Sequence, residues 1–200
     1  MFNTPNVLSL SRIFCGWMIL LLLKYHPFLP FEIPFYGILI VVAILVILAE
    51  TTDILDGHLA RKRKQVTDIG KLLDPMADSI NRMMIFLAFV SVDWMSGVML
   101  GIMFTRDIIV STMRSIAAKN GLIVSARLSG KVKAVCQGIA QGIIIIVQFL
   151  VAINLLSKEN AVEIGWWTLA ITTVVTAISG IDYMWGIIPQ IIRAEDTRKL

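Results

Sequence analysis

Long apolar runs alternate with short polar connections along almost the whole chain. Six of these runs approach the roughly 20 residues that a helix needs to cross the hydrocarbon core of a bilayer. They predict six transmembrane helices, at residues 7–25, 35–56, 72–92, 97–117, 131–155 and 164–190. The amphipathic stretch Val7–Arg12 follows Asn3-Thr4-Pro5-Asn6, which breaks helices, and it predicts a short N-terminal interfacial helix before the first span. The predicted fold class is an all-α integral membrane protein in which residues 1–200 form a single domain.

The composition agrees with a membrane location. Apolar residues make up 57% of the chain and the mean hydropathy is +0.80, whereas soluble domains average roughly 45–50% apolar residues. Cys15 and Cys136 fall inside apolar runs, so we expect free thiols there rather than a disulfide. Neither a cleavable signal peptide nor a nucleic-acid partner is predicted.

Basic residues collect on one side of this six-helix topology. Fourteen of the 18 lysines and arginines fall at one end of the predicted helices, whereas only Lys24 and Lys158 fall at the opposite end. By the positive-inside rule, the basic end faces the cytoplasm. We therefore expect a multi-pass protein of the cell (inner, cytoplasmic) membrane, with both termini and the segment 53–78 on the cytoplasmic side.

Four aspartates stand out at the cytoplasmic ends of the second and third predicted helices. Asp53 and Asp56 are three residues apart and Asp74 and Asp78 are four apart, so each pair shares one helix face. If the two helices are neighbours, the four carboxylates converge where uncompensated negative charge is costly. Oxygen-only ligands suit a hard divalent cation, Mg²⁺ or Mn²⁺. The spacing therefore predicts a metal site formed by these four aspartates.

Two functions are compatible with such an acidic cluster. One is a cation or proton pathway in a transporter, and the other is a metal site for phosphoryl transfer. Transport sites tend to lie near mid-membrane on broken helices, whereas these carboxylates lie at helix ends. Gly57 and Arg61 beside them suit an anionic diphosphate bridged to a metal ion. The pattern favours phosphoryl transfer and leaves transport as the distant alternative.

The same segment resembles the signature of the CDP-alcohol phosphotransferase family. All eight fixed positions are present, as Asp53-x2-Asp56-Gly57-x2-Ala60-Arg61-x8-Gly70-x3-Asp74-x3-Asp78. The resemblance implies a six-helix, homodimeric membrane enzyme that uses a divalent metal. Such an enzyme cleaves a CDP-linked substrate, transfers the phospholipid or phospho-alcohol portion to a hydroxyl group and releases CMP.

The resemblance also implies roles for individual residues. Asp53, Asp56 and Asp74 would ligate the metal, and Asp78, at the same site, would be the catalytic base that deprotonates the acceptor alcohol. The CDP pocket would be lined by Asp56, Gly57, Ala60, Arg61, Gly70 and Asp74. His58 occupies a variable position of the signature, and we expect a solvated or structural role for it.

A second group of residues bears on the acceptor. Arg106, with Thr105 beside it, and Arg114 lie on roughly one side of the fourth predicted helix, and Lys131 and Lys133 begin the fifth. A bidentate guanidinium together with an ammonium group is a good receptor for a phosphate monoester. Glycerol 3-phosphate is such an acceptor, whereas serine, choline and glycerol are not.

Other interpretations of these cations stay open. Lys131 and Lys133 could extend towards lipid headgroups, and Arg106 could form a structural pair with Asp107 or with a helix end. The alternative to glycerol 3-phosphate is another acceptor in the same chemistry, such as inositol phosphate, serine or choline.

The second cytoplasmic region resembles one subgroup of the family, the bacterial phosphatidylglycerophosphate synthases. The similar features are Arg106 with its acidic neighbour, Arg114, Gly130-Lys131-x-Lys133, Gln137 and, further on, Ser179-Gly180-x-Asp182-Tyr183. Asp107 stands where this subgroup leads us to expect Glu, and Ala134 where it leads us to expect Thr. The resemblance implies transfer of a phosphatidyl group from CDP-diacylglycerol to glycerol 3-phosphate, with CMP and phosphatidylglycerophosphate as products.

Overall fold

Helices make up nearly all of the chain that the computed structural model describes. That part comprises the backbone of residues 4–29, 33–63, 68–119, 122 and 127–199, and the side chains of residues 11–29, 33–52, 75–119, 122 and 127–193. Within it the chain forms six α-helices: α1 (Thr4–Tyr25), α2 (Phe35–Arg63), α3 (Asp68–Ser91), α4 (Gly97–Lys119), α5 (Leu128–Ala152) and α6 (Lys158–Lys199). A single 3-10 turn, His26–Phe28, follows α1.

Each predicted apolar run corresponds to one of these helices, so the all-α prediction is confirmed for the described residues. Three stretches there are long and apolar enough to cross a membrane: Phe35–Thr52, Leu128–Ala152 and Lys158–Arg193. The prediction of a separate interfacial helix is wrong, because α1 runs unbroken from Thr4 to Tyr25. Pro5 lies in its first turn, where an amide N–H would have no helical partner, so proline there starts the helix instead of breaking it.

Two apolar clusters form the interior of the bundle. The larger one joins α1, α2, α3, α4, α5 and α6, and it includes the fully buried Ile19, Phe86, Phe89 and Met103. The smaller one joins α4 and α6 through Val110, Ala117, Tyr183, Ile187 and Ile191. Along α4, the residues between Met103 and Val110 belong to neither cluster.

Polar side chains occupy the layer between the two clusters. On α4 this layer holds Arg106 and Asp107, and α3, α5 and α6 contribute further buried polar groups, which on α5 and α6 extend over about two turns. The buried members are Asn81, Arg82, Lys133, Gln137, Gln141, Thr172, Thr173, Thr176 and Ser179. Because buried polar groups require hydrogen-bond partners, this layer constrains how the four helices pack.

The outer surface of the bundle is apolar. Large hydrophobic side chains such as Val98, Trp166 and Trp185 are exposed, the last of them by 79%. Contiguous apolar surface of this extent is rare on soluble monomers. The surface is that of a membrane protein whose helices face lipid.

Helix α1 lies in close contact with α3 at Gly16. A Cβ atom at this position would lie 2.9 Å from Cβ of Met84 and 3.1 Å from the backbone oxygen of Asn81. Only glycine allows the two helix backbones to approach in this way. Because α1 also packs against α2, this contact holds the two helices that carry the acidic signature in a fixed relation.

We expect Gly16→Ala to lower the free energy of unfolding by about 1–3 kcal/mol, since the added methyl group overpacks the α1–α3 contact. Thermal unfolding of the purified protein in detergent measures the change. Gly142→Ala is the matched control, because a Cβ atom there has no neighbour within 4 Å and alanine favours the helix. Wild-type stability of the Gly16→Ala protein would contradict this account of the contact.

Candidate functional site

The acidic signature lies on two helices. Helix α2 contains Asp53, Asp56, Gly57, Ala60 and Arg61, and α3 contains Gly70, Asp74 and Asp78. Both segments are helical, so the members of each aspartate pair are about one turn apart, as their spacing requires. The side chains of the first seven of these residues lie outside the described part of the structure. No group of three or more potential metal-ligating side chains occurs among the side chains that are described.

Asp78 is the member of the signature whose side chain the structure describes. Its Oδ1 atom lies 2.9 Å from Nη2 of Arg82, one turn later on α3. The Arg82 side chain is 7% exposed and that of Asp78 is 29% exposed. Asp78 therefore presents a carboxylate that a buried cation orients and that a ligand from outside can still reach.

Asp107 connects three helices through one buried carboxylate. Its Oδ1 atom accepts hydrogen bonds from Nη1 of Arg106 at 3.0 Å and from Nζ of Lys133 at 2.8 Å. Its Oδ2 atom accepts one from the Ser79 hydroxyl at 3.4 Å. Charges this far from water need such partners to offset their lost hydration. Asp107 thus holds the cations of α4 and α5 beside the segment of α3 that carries Asp78.

Helix α6 joins this network through Ser179. The Nε atom of Arg106 donates to the Ser179 hydroxyl at 3.0 Å, and that hydroxyl donates to the Thr176 carbonyl at 2.7 Å. The neighbouring Gly180 makes room for the arginine stem, since a Cβ atom there would lie 2.7 Å from Cγ of Arg106. Four helices, α3 to α6, therefore meet around the Arg106 and Asp107 pair.

The five predicted acceptor-binding residues divide among different surroundings. Arg106 and Lys133 come together on Asp107, so the open question whether Arg106 pairs with its acidic neighbour is answered: it does. Lys133 does not extend to lipid headgroups, because its side chain is 8% exposed. Lys131 is exposed at the start of α5, as an interfacial lysine would be.

The two remaining acceptor candidates lie on opposite sides of Arg106 along α4. Thr105 is exposed and lines a groove of about 510 Å³ between α4 and α6, whose walls are otherwise mostly apolar. Arg114 lies two turns further along α4. Its Nε atom donates to the Tyr183 hydroxyl at 2.7 Å, and its guanidinium carbon lies 5.1 Å from the centre of the Tyr183 ring.

The sequence pattern offered Asp107 as a possible partner of Arg106 but did not indicate the partners of Arg82, Arg114 and Arg127. The Asp78 and Arg82 pair could have been found, because residues four apart on a helix face the same way. The contact between Arg114 and Tyr183 joins residues 69 positions apart, and that between Arg127 and Asp182 joins residues 55 apart. No local pattern indicates such pairs.

A sequence profile decides the family. The profile described as CDP-alcohol phosphatidyltransferase matches residues 2–179 of the chain. The chain belongs to this family. It is therefore an enzyme of the CDP-alcohol phosphatidyltransferase type, as the aspartate signature predicted, and the transporter interpretation is not supported.

Three similar relatives share one name, CDP-diacylglycerol–glycerol-3-phosphate 3-phosphatidyltransferase. The protein of that name from Bacillus subtilis is 31% identical over 187 residues, which covers 92% of this chain and 94% of the relative. The one from Pectobacterium atrosepticum is 34% identical over 148 residues, covering 70% and 74%. The one from Yersinia pestis is 37% identical over 130 residues, covering 60% and 70%.

Substitution of Asp107 should destabilise the folded protein, because two buried cations share its carboxylate. We expect Asp107→Asn to lower the free energy of unfolding by about 3–5 kcal/mol, because Arg106 and Lys133 would remain buried without their shared anion. Adding Lys133→Gln should restore part of the loss, since one uncompensated cation is removed. Thermal unfolding in detergent checks both variants.

The matched control is Glu163→Gln on α6, which neutralises an exposed acid and should leave the unfolding temperature unchanged. If Asp107→Asn alone is as stable as the wild type, the carboxylate does not hold the network together.

Proposed function

We propose that this enzyme transfers the phosphatidyl group from CDP-diacylglycerol to sn-glycerol 3-phosphate, releasing CMP and forming phosphatidylglycerophosphate. The observation that carries the acceptor is the position of the buried cations. Ser79, next to Asp78 in the chain, donates to Asp107, which holds Arg106 and Lys133. A phosphate monoester bound by these cations would have its hydroxyl groups close to the proposed base. The name shared by the three relatives supports the same substrates.

The donor side of the site depends on the aspartate signature. Asp53, Asp56, Asp74 and Asp78 would hold a divalent cation, Mg²⁺ or Mn²⁺. Their four carboxylates, in two helical pairs, fit such an ion. When bound, the metal neutralises the diphosphate of the CDP-lipid and stabilises the departing CMP. The CDP portion would be bound by Asp56, Gly57, Ala60, Arg61, Gly70 and Asp74.

Asp78 performs the proton transfer in this proposal. The acceptor hydroxyl oxygen forms a bond to the phosphorus of the phosphatidyl group, and the bond from that phosphorus to the oxygen of CMP breaks. The proton of the hydroxyl passes to the Asp78 carboxylate, as general base catalysis requires. Arg82, 2.9 Å away, keeps the carboxylate oriented during this transfer.

The acceptor phosphate is bound on the side of α4 and α5. Arg106 and Lys133 already lie together there, and their charges exceed that of the single Asp107 carboxylate between them. An anionic ligand would complete the charge balance. Arg114 and Lys131, both exposed, would meet the phosphate from the aqueous side, and Thr105 would contribute its hydroxyl beside Arg106.

The proposal includes a topology and an assembly. All six helices span the inner membrane as one domain of residues 1–200, with the active site and both termini on the cytoplasmic side. The one-sided distribution of lysine and arginine supports this orientation. The enzyme works as a homodimer, an assembly that the family resemblance favours.

The acceptor is tested by offering alternatives. Purified enzyme with Mg²⁺ or Mn²⁺ and CDP-diacylglycerol should release CMP when glycerol 3-phosphate is added. We expect at least tenfold less release with serine, choline or glycerol, because these alcohols lack the phosphate that the cationic site binds (about 1.4 kcal/mol of discrimination per tenfold). Inositol phosphate carries that phosphate, so it is the alternative acceptor that the comparison tests directly. Faster turnover with another alcohol would replace the proposed acceptor, and turnover unaffected by a chelator would exclude the metal.

We expect Asp78→Asn to lower CMP release by about 100-fold or more, since the amide cannot accept the proton, while binding of CDP-diacylglycerol is largely retained. Steady-state CMP release and CDP-lipid binding measure the two effects. Asp93→Asn is the matched control: Asp93 is exposed in the connection between α3 and α4 with a φ of 60°, which asparagine also adopts readily. Wild-type turnover of the Asp78→Asn enzyme would remove Asp78 as the base.

A further inference from the structure

Two turns of α6, Ser179–Gly186, contact the elements that carry every proposed acceptor-binding cation. The run Ser179-Gly180-x-Asp182-Tyr183 lies in this segment, and the proposed chemistry gives it no role. Residues 179, 182, 183 and 186 lie on one helix face because they are spaced by three or four residues. That face is directed at α4 and at the start of α5.

The first two contacts hold arginines of α4. The Ser179 hydroxyl accepts from Nε of Arg106 at 3.0 Å. The Tyr183 hydroxyl accepts from Nε of Arg114 at 2.7 Å. In both cases the helix binds the inner nitrogen of the guanidinium group, so the hydrogen bond fixes the plane of the group.

The hydrogen bond at Nε leaves the two terminal nitrogens of Arg114 available. The structure gives this side chain no further hydrogen bond among the described residues, and Arg114 is exposed. Its guanidinium also lies over the Tyr183 ring, with 5.1 Å between the guanidinium carbon and the ring centre. A guanidinium group held at Nε keeps its two terminal nitrogens free to donate, and such a pair suits two phosphate oxygens.

The third contact fixes the start of α5. Nη1 of Arg127 donates to Oδ1 of Asp182 at 2.7 Å, and the Ser129 hydroxyl donates to Oδ2 of the same carboxylate at 2.5 Å. Gly186 leaves space for the Arg127 guanidinium, which a Cβ atom there would strike. Lys131 and Lys133 lie within four residues of Ser129 in the chain. The contact with Asp182 therefore constrains the position of both lysines.

We propose that Ser179, Asp182 and Tyr183 are positioning residues for the acceptor's phosphate: through Arg106, Arg114 and the Arg127–Ser129 contact they orient the cations that bind a phosphate monoester. This inference rests on the proposed function, and it names the element that gives the acceptor site its geometry. The residues themselves touch neither substrate. Their effect is on the affinity for the acceptor and not on the chemical step.

Tyr183→Phe isolates one of these contacts. The Tyr183 ring is fully buried against Val110, Ala117, Ile187 and Ile191, and phenylalanine preserves that packing while removing the hydroxyl. We expect the KM for glycerol 3-phosphate to rise about tenfold, in keeping with the loss of a hydrogen bond to a charged group. The kcat and the KM for CDP-diacylglycerol should change less than about twofold.

Arg114→Lys removes the same hydrogen bond from the other side, because lysine has no Nε–H, and it retains the positive charge. We expect the KM for glycerol 3-phosphate to rise at least as much as in Tyr183→Phe, because the bidentate guanidinium is lost as well. The double variant should show no further rise over Arg114→Lys, because Tyr183 acts through Arg114. Tyr36→Phe, at an exposed tyrosine of α2, is the matched control and should behave as the wild type. Additive effects, an unchanged KM, or equal losses in kcat and both KM values would overturn the inference.

A binding measurement separates this inference from the proposed function. Inorganic phosphate should raise the unfolding temperature of the wild-type protein in detergent and should do so more weakly for Tyr183→Phe. If the wild type responds in this way but does not turn over glycerol 3-phosphate, the proposed acceptor is wrong and the positioning role stands. If phosphate stabilises both proteins equally while glycerol 3-phosphate is turned over, the positioning role alone is wrong.

Discussion

The shared carboxylate of Asp107 is the interaction on which the arrangement of the half of the bundle around Asp78 depends. It accepts hydrogen bonds from side chains of α3, α4 and α5, and its partner Arg106 extends the connection to α6. Because a buried charge without a partner is strongly destabilising, two cations and one anion cannot be buried separately. The contacts among these charged groups therefore determine where the helices pack against one another. The apolar clusters lie on either side of these contacts.

The Asp107 network lies next to the aspartate signature of the family. Asp78 belongs to the acidic signature and is also held by Arg82, one turn further into the bundle. Through Ser79 the same stretch of α3 reaches the cations of α4 and α5. Asp78 and the serine that donates to Asp107 thus share one helix, whereas the cations lie on α4 and α5, so the separation of the acidic and basic parts depends on how these helices pack.

The sequence indicated the parts of this arrangement that depend on local spacing. The apolar runs predicted all six helices. The aspartates of each pair are three or four positions apart, and this spacing predicted that they lie about one helical turn apart. It did not indicate that Pro5 begins a helix, because the same residue also ends helices and the choice depends on whether its amide would have had a partner. Nor did it decide between a structural pair and a free cation for Arg106, since the two outcomes use identical residues.

The contacts of α6 were beyond prediction for a different reason. Tyr183 and Asp182 meet Arg114 and Arg127 across 69 and 55 positions of the chain. Each contact forms only when α6 packs against α4 or against the start of α5. The glycines that leave room for the arginine side chains cannot be distinguished in sequence from glycines that serve helix packing alone. The role of Gly180 and Gly186 follows only from the positions of the arginine side chains that pack against them.

Arg106 has two environments along its length. Its methylene groups pass Gly180 and border the apolar groove between α4 and α6, whereas its guanidinium group lies with Asp107 and Ser179. A hydrocarbon chain in that groove would lie in apolar surroundings, whereas an ion bound at the network would lie among charged groups. Only the methylene groups of one arginine would separate these two environments.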